Sequence, residues 1–498
     1  MNVNPITRLD YPDLDVIRVE DTYYMVSTTM HFMPGCEILQ SFDLVHWEHA
    51  TYVYETLDHT DAQQLKSGQN IYGQGMWAAS LRYHEGRFYI CFVANDTRKT
   101  YLYTSEKIDG PWKKQLIEGF YHDGSLLFDE DGRNYIVYGN DEIWITELNE
   151  DLTAPKKDGL HRLLVSDHKN PKLGYEGSHI QKINGYYYIF LIHSLRDRWM
   201  RTEACFYSDS LEGEFTGGDV LCDDRGYCGQ GVAQGGIVDT PDGKWYAMLF
   251  QDSGAVGRIP ILLPVTWKDH FPVFGQNGHV PEEIEVHSTR PGYIYQPLVG
   301  SDDFCNGLLP RWQFNHDPDP RYYHLDALQG TYTITTREVC TELTQAVNTL
   351  TQRMSYPSCA AEVTVDASAL KEGDVAGLCA FQGCYAAVGI TKHHGKYEVL
   401  MLDKKEDGIL DMTEGTVVES HQMDFRLEAD FCNMKDEARC YYRVNKGDWL
   451  PIGTVHKLYF KLDHFTGCRF GLFCYAAEET GGSACFRDFK YYDVDEIS

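Results

Sequence analysis

The sequence predicts an all-β protein in which a five-bladed β-propeller is followed by a separate β-sandwich. Three observations predict this fold class. The 498 residues include 34 Tyr, 23 Phe and 9 Trp, and aromatic residues favour strands. A turn-and-strand repeat recurs through the first 270 residues, and it is lost around Phe271–Gly300. Because a single core rarely grows past about 250–300 residues, at least two domains are expected.

Each copy of the repeat begins with an acidic residue or Gly and leads through Tyr into an apolar strand. A second strand follows each copy after a short loop. Five such units predict a propeller, although an irregular sandwich with similar hairpins stays open as the alternative. The five copies are Asp21–Met25, Gly86–Ile90, Gly132–Ile136, Gly185–Ile189 and Gly243–Ala247.

The second half of the chain alternates polar and apolar residues without the first repeat. Segments such as Thr331–Thr335, Ala360–Val365, Tyr397–Leu402 and Ala484–Tyr491 are typical of an antiparallel sandwich. We therefore expect a propeller domain over residues 1–295 and a sandwich domain over residues 300–498.

Charge and cysteine usage limit the partners and the compartment. With 44 Lys plus Arg against 74 Asp plus Glu, the net charge of -30 disfavours nucleic acid and anionic membranes. No stretch of 18 apolar residues predicts a membrane span, and the N-terminus lacks the pattern of a secretory signal. The 15 Cys include no C-x-x-C pair, so free thiols in a cytoplasmic protein are expected. The substrate would then be a short oligosaccharide already imported into the cell.

Three acids stand just before repeat-containing strands. Asp13, Asp123 and Glu176 precede Tyr24, Tyr135 and Tyr188 by 11, 12 and 12 residues. In a propeller these matched offsets place the acids at equivalent points of different blades, where they face one central pocket. Hydrolysis of a glycosidic bond needs such carboxyl groups, one to protonate the leaving oxygen and one to activate water. For any one of the three, a turn acid that binds its own backbone is the alternative.

The motifs around these acids resemble glycoside hydrolase family 43. They are Tyr11-Pro12-Asp13, His122–Leu127 and Tyr175–Ile180, and segments such as Leu309–Trp312 and Gly373–Leu378 resemble the second domain of its β-xylosidase-like branch. The resemblance implies a five-bladed propeller, a concanavalin-like sandwich and inversion of the anomeric centre. It also implies that Asp13 is the general base and Glu176 the general acid, with Asp123 orienting Glu176 and raising its pKa.

The resemblance further suggests substrate-binding residues. Arg258 and Trp77 match a sugar-binding arginine and a pocket aromatic, although a surface ion pair and inter-blade packing are their alternatives. His31 and Phe32, beside Met30, match pocket residues of the first blade. Gln234, or Ala233, stands where many members have a histidine that binds calcium through water. No cofactor is therefore expected to be required, and a structural Ca²⁺ stays open.

These features favour an exo-acting, inverting glycoside hydrolase that releases terminal α-L-arabinofuranose, β-D-xylose or both from hemicellulose-derived oligosaccharides. A non-catalytic carbohydrate-binding propeller is the alternative, but it does not need three acids at matching positions. A retaining fructan hydrolase would need Asn-Asp-Pro and Arg-Asp-Pro motifs, which are not in place. By resemblance, enzymes with this second domain often associate, so a homo-oligomer is a further expectation.

Overall fold

A computed structural model describes residues 4–493, and within this range strands are the dominant regular secondary structure. Residues 1–3 and 494–498, the outer ends of both predicted domains, lie outside the described residues. The helical structure in the described range is limited to single 3₁₀ turns. These are Lys66–Gly68, Gly254–Val256, Leu343–Gln345 and Cys432–Met434.

The predicted propeller is confirmed as five four-stranded antiparallel sheets, each a meander, and in blade 1 the meander leaves out the short strand Phe32–Met33. In every blade the repeat copy leads into the second strand, and the strand predicted to follow each copy is the third strand of that blade. Blade 1 contains Asp15–Val19, Thr22–Ser27, Gly35–Ser41 and Glu48–Tyr54; blade 2 contains Met76–His84, Arg87–Ala94, Lys99–Ser105 and Lys113–Ile117; blade 3 contains Ser125–Phe128, Asn134–Asn140, Glu142–Leu148 and His161–Ser166; blade 4 contains Glu176–Ile183, Tyr186–Ser194, Arg201–Ser208 and Thr216–Leu221; blade 5 contains Val232–Asp239, Trp245–Asp252, Arg258–Lys268 and Phe271–Phe274.

The first strands of the five blades contact one another in a closed ring around the propeller axis. The N-terminal segment, which precedes blade 1, runs along the third strand of blade 5 and so joins the first and last blades. The Asn4 side chain donates to the Leu262 carbonyl at 2.7 Å and accepts from the Leu262 N–H at 2.9 Å. Tyr11 N–H donates to the Arg258 carbonyl at 3.1 Å, so the segment before Asp13 is fixed to blade 5.

Two further sheets form the C-terminal sandwich, and their facing sides enclose one apolar core. One sheet contains, in order, Phe32–Met33, Gln313–Asn315, Leu350–Arg353, Arg469–Tyr475, Val375–Phe381, Ala386–His393, Lys396–Lys404 and Leu410–Met412, with Thr416–Val418 also paired to Lys396–Lys404. The other contains Tyr323–Asp326, Thr331–Thr335, Ser483–Asp493, Ser358–Asp366, Gln422–Asp430, Glu437–Arg443 and Leu450–Lys457.

The two domains share hydrogen bonds and buried ion pairs. Phe32–Met33 leaves blade 1 to pair with Gln313–Asn315 of the sandwich. Asp10 accepts from the Arg258 N–H of blade 5 at 2.8 Å and from the Gly467 N–H of the sandwich at 2.7 Å. Because Asp10 lies near Asp13, it holds one sandwich loop beside the start of blade 1.

All 15 cysteines are free thiols, as the sequence predicts, and nine of them are buried. Within residues 4–493 there is no helix with the length and apolar character needed to cross a membrane.

Candidate active site

The three predicted acids lie at the same end of the first strands of blades 1, 3 and 4. The carbonyls before two of them, Pro12 and His122, accept from the N–H groups of Thr28, just after the second strand of blade 1, and of Gly139, on the second strand of blade 3, at 3.3 and 3.0 Å. Asp13 and Asp123 both adopt left-handed backbone angles, with φ of 54° and 47°. Non-glycine residues rarely adopt this region, and such strain is typical of functional sites.

Irregular pairing at the start of three first strands shapes the same end of the propeller. The register shifts between Met76 and Ala79, between Glu176 and His179, and between Ala233 and Gly236. Bulges of this kind bend a strand and re-aim its side chains. In this propeller they redirect Trp77, Glu176 and Gln234.

Asp13 is held as a buried carboxylate between two donors. Arg258 Nη1 donates to its Oδ1 at 2.8 Å, and Thr28 Oγ1 donates to its Oδ2 at 2.8 Å. Burial raises the pKa of Asp13 above its ordinary value, against the opposing charge of Arg258. The side chain is 9% exposed, so its ionisation is governed by these neighbours rather than by bulk water.

Asp123 and Glu176 lie side by side, with His122 between them. Asp123 Oδ2 accepts from the Gly177 N–H at 2.9 Å, which ties it to the residue after Glu176. Burial and the negative charge of Glu176 raise the pKa of Asp123, while His122 opposes the shift. Glu176 Oε2 accepts from Asn140 Nδ2 at 2.7 Å, and this carboxyl is more exposed than that of Asp123.

His122 completes this group as a cation. Its Nε2 lies 3.6 Å from Asp123 Oδ2 and 3.8 Å from Glu176 Oε2. Burial disfavours the charged imidazole, but the two carboxylates outweigh it and raise the pKa of His122 to about 9. Potential ligand atoms of these three residues lie within 4.8 Å of one another, so a metal ion placed there would compete with the proton on the acid.

A cavity of about 550 Å³ lies between the propeller and the sandwich, and Glu176 is the one of the three acids that lines it. Its propeller side includes Trp77, His122, Asn140, Glu176 and Trp199, and its sandwich side includes Met434, Phe460, Leu462 and Phe465. The ring of Phe465 lies over the guanidinium of Arg258, 4.3 Å from centroid to Cζ. The buried pair of Asp13 and Arg258 therefore lies directly behind this wall.

A family model fits this propeller. The model of glycosyl hydrolases family 43 matches residues 3–272, more than half of the chain. The chain belongs to glycosyl hydrolase family 43. A model described as the β-xylosidase C-terminal concanavalin A-like domain matches residues 301–492. The chain is thus a glycosidase, and the alternative of a non-catalytic carbohydrate-binding propeller is set aside.

Named relatives of this family 43 chain cover most of its length. A β-xylosidase of Formosa agariphila is 26% identical and aligns with 99% of this chain and 89% of its own. A non-reducing end α-L-arabinofuranosidase of Bacteroides ovatus is 24% identical over 82% of this chain and 79% of its own.

Solved structures resemble the whole two-domain arrangement. A bifunctional GH43-CE protein of Bacteroides eggerthii superposes with a TM-score of 0.92 at 42% identity over 99% of this chain. The chain spans 64% of the length of that protein. A GH43 glycoside hydrolase engineered to display both endo-xylanase and exo-arabinofuranosidase activity superposes at 0.87, with 27% identity, 99% of this chain and 100% of its own.

The predicted substrate-binding residues divide into two groups. Trp77 and Arg258 lie beside the acids, and the Gln234 side chain packs over Gly177, the neighbour of Glu176. His31 and Phe32 lie elsewhere, fully buried where the sandwich meets blade 1. This placement differs from the sequence-based expectation because Phe32–Met33 leaves the blade to join the sandwich sheet.

Sequence reasoning missed several residues of the wall. His122 could have been found, since it precedes Asp123 in the same motif. Phe465 could not, because it reaches Arg258 from another domain 207 residues away. Trp199 lies in the loop between Tyr186–Ser194 and Arg201–Ser208 and is 48% exposed at the rim.

Proposed function

We propose that this glycosidase releases single pentose units, α-L-arabinofuranose or β-D-xylose or both, from the non-reducing ends of hemicellulose-derived oligosaccharides, with inversion. One observation carries the proposal. Glu176 lines a cavity between the two domains, and two buried carboxyls, Asp123 beside His122 and Asp13 beside Arg258, lie just behind the lining of that cavity.

The proposed roles follow from these contacts. Asp13, ionised and fixed by Arg258 and Thr28, takes a proton from water as the oxygen attacks the anomeric carbon. Glu176 gives its proton to the leaving oxygen as the glycosidic bond breaks. Asn140 donates to Oε2 of Glu176, so Oε1 is the oxygen that carries the proton toward the substrate. Asp123 keeps Glu176 in place through Gly177.

Inversion requires that a water molecule fits between Asp13 and the sugar, with carboxyl groups roughly 6.5–9.5 Å apart. Proton NMR of the first product formed from a β-xyloside or an α-L-arabinofuranoside tests this step. We expect the opposite anomer to appear before mutarotation. Initial formation of the same anomer as the substrate would contradict it.

Exo action is supported by the sandwich residues over the cavity. Phe460, Leu462 and Phe465 cover one side, which leaves room for a chain end rather than for a long polysaccharide running through. Chromatography of early products from linear xylo- and arabino-oligosaccharides should show one monosaccharide and a substrate shortened by one unit. Early internal products would contradict exo action.

The choice of pentose is tested with two chromogenic substrates. The relatives named above are a β-xylosidase and an α-L-arabinofuranosidase, which supports both sugars. We expect release of 4-nitrophenol from the β-D-xylopyranoside or the α-L-arabinofuranoside, strongly lowered by Asp13→Ala and by Glu176→Ala. Asp43→Ala is the matched control, since Asp43 is a turn acid that accepts from the Val45 and His46 N–H groups. Activity equal to that of wild type in either acid variant would contradict the proposal.

We also propose that the enzyme works in the reducing cytoplasm, on oligosaccharides already inside the cell. Its four exposed free thiols support this, since such thiols oxidise readily elsewhere. Activity measured in fractionated cells of its source should be found in the cytosolic fraction. Activity confined to the medium would contradict it.

A further inference from the structure

Below the acids, the guanidinium group of Arg82 lies among the first strands of the blades. A guanidinium has five N–H groups, and here each meets an acceptor. The acceptors are the Leu126 carbonyl (Nε, 2.8 Å), Asp15 Oδ2 (Nη1, 2.7 Å), the Leu81 carbonyl (Nη1, 2.6 Å), Ser125 Oγ (Nη2, 2.7 Å) and the Ile180 carbonyl (Nη2, 3.1 Å).

These acceptors belong to the strands that carry the acids. Asp15 and Ser125 lie two residues after Asp13 and Asp123, and Ile180 lies four after Glu176. Arg82 itself lies on the first strand of blade 2, so one side chain joins the first strands of four blades.

Two of these acceptors, Ser125 and Asp15, also accept a hydrogen bond from the backbone of a neighbouring blade. Ser125 Oγ accepts from the Ile180 N–H at 3.0 Å, which joins blades 3 and 4. Asp15 Oδ2 accepts from the Leu81 N–H at 2.7 Å, which joins blades 1 and 2. Between these two pairs of blades, the Leu126 N–H donates to Ser80 Oγ at 3.1 Å and His179 lies beside Asp15, but Arg82 is the side chain that binds both pairs at once.

Arg82 also takes the electrostatic place of a bound cation. Its side chain is 13% exposed and that of Asp15 is 1% exposed, so solvent screens this pair weakly. The second oxygen of Asp15 faces His179 Nδ1 at 3.2 Å, so neither oxygen is left for a metal. Ca²⁺ takes six to eight oxygen ligands, and a guanidinium in the same space repels it.

We propose that Arg82 is a positioning residue that sets the relative places of Asp13, Asp123 and Glu176, and that it substitutes for a metal ion on the propeller axis. The inference rests on the proposed function for the roles of the three acids. It assigns to Arg82 an effect on turnover beyond its contribution to folding, and it predicts an enzyme that needs no calcium.

The first test separates positioning from stability. Arg82→Met, Arg82→Lys and Ser125→Ala are compared with Arg426→Met, a control in the sandwich whose guanidinium binds Glu362 and Glu428 and is 16% exposed. A displacement of about 1 Å at an active site costs about 10²-fold in rate, so kcat of folded Arg82→Met should fall by about this factor with KM little changed. Arg82→Lys should recover part of the loss, because an ammonium group cannot reach all five acceptors.

The control should lose thermal stability but keep kcat. Equal kcat in folded Arg82→Met and Arg426→Met would overturn the positioning role. If Arg82→Met does not fold, Ser125→Ala decides the question: it should lower kcat while the protein stays folded, and an unchanged kcat would overturn the role as well.

The second test concerns the metal and does not depend on the substrate. Wild-type protein is equilibrated with CaCl₂, dialysed and analysed for calcium, and its Tm is measured with CaCl₂ and with EGTA. We expect no stoichiometric calcium and no change in Tm. Stoichiometric calcium with a Tm lowered by EGTA would overturn the substitution, whether or not a glycoside is hydrolysed.

Discussion

Asp13 has two contacts that favour its ionised form, and the contact with Thr28 can be removed without substituting Arg258. Thr28 donates to Oδ2, which lowers the pKa of Asp13, while burial raises it. In Thr28→Val the pKa should rise further, because the ionised form loses a donor. A larger fraction of Asp13 is then protonated at acidic pH, so the acidic limb of the kcat/KM profile should move to higher pH.

A matched control is available in the sandwich, where Thr364 donates to Asp424. Thr364→Val removes a similar bond remote from the site and should leave the acidic limb in place. An acidic limb that moves to lower pH in Thr28→Val, or that does not move, would contradict Asp13 as the base.

Trp199 is the second residue whose substitution should change activity, because we expect its ring to contact the substrate. Its exposed ring stands at the cavity rim, and we expect it to stack on the sugar ring of the leaving group. An aromatic contact is worth about 0.5–1.5 kcal/mol, so Trp199→Ala should lower kcat/KM for a disaccharide by up to about tenfold. A glycosyl fluoride, which has no leaving-group ring, is the control and should be hydrolysed as by wild type; equal losses on both substrates would contradict the stacking.

Among the strands, the bulged start of Glu176–Ile183 is the element on which the site depends most. Gly177 has a φ of 64°, and a Cβ there would lie 2.7 Å from Gln234 Cγ. Gly177→Ala should therefore displace Glu176 and lower kcat by about 10²-fold, in addition to about 1–2 kcal/mol of backbone strain. Enzyme assays beside thermal unfolding measure the two effects.

A substitution of Gly185, in the next turn of the same blade, distinguishes the effect on kcat from the effect on stability. It also has a positive φ, 85°, but nothing lies within 4 Å of a Cβ built on it. Gly185→Ala should lose similar stability and keep kcat. Equal kcat in the two variants would show that the bulge does not position Glu176.

The sequence predicts the elements that repeat and misses those that depend on contacts between distant segments. The five Tyr-containing copies predict the second strands because their turn and apolar pattern is local. Strands such as Glu176–Ile183 begin in bulges, where alternation is interrupted, so their first residues follow no simple period. Phe465 and His31 take their places from contacts between domains, and no local pattern reports such contacts.

At the scale of the whole molecule, the two domains meet at a group of buried histidines. The ring of His31 contacts those of His316, His464 and Tyr72, and neither of its nitrogens has a hydrogen-bond partner among the described residues. Burial lowers the pKa of all three imidazoles, together with mutual repulsion and the charge of Arg469 near His31. The pKa of His464 falls to about 4.

The sign of the pH dependence follows from these shifts. Unfolded histidine has a pKa of about 6.5, so below that pH the unfolded chain binds more protons than the folded one. The free energy of unfolding should fall as the pH drops from about 6.5 toward about 4. His31→Phe should make this fall shallower and, by removing two unpartnered nitrogens, should stabilise the protein at pH 7 by about 1 kcal/mol.

Thermal unfolding across this pH range measures both effects. His456→Phe is the control, because the nitrogens of His456 contact Asp403 and Cys384, so it should destabilise the protein at pH 7. A steeper pH dependence in His31→Phe would contradict neutral histidines at the junction.

The central claim, that Glu176 protonates the leaving oxygen while Asp13 activates water, is tested most directly by the leaving-group dependence of the two alanine variants. Initial rates are compared on a pentose disaccharide and on the 2,4-dinitrophenyl glycoside, whose leaving group needs little protonation. Glu176→Ala should lose far more activity on the disaccharide than on the dinitrophenyl glycoside, whereas Asp13→Ala should lose a similar large factor on both. Equal losses on both substrates in Glu176→Ala would contradict the acid role and, with it, the account of the site.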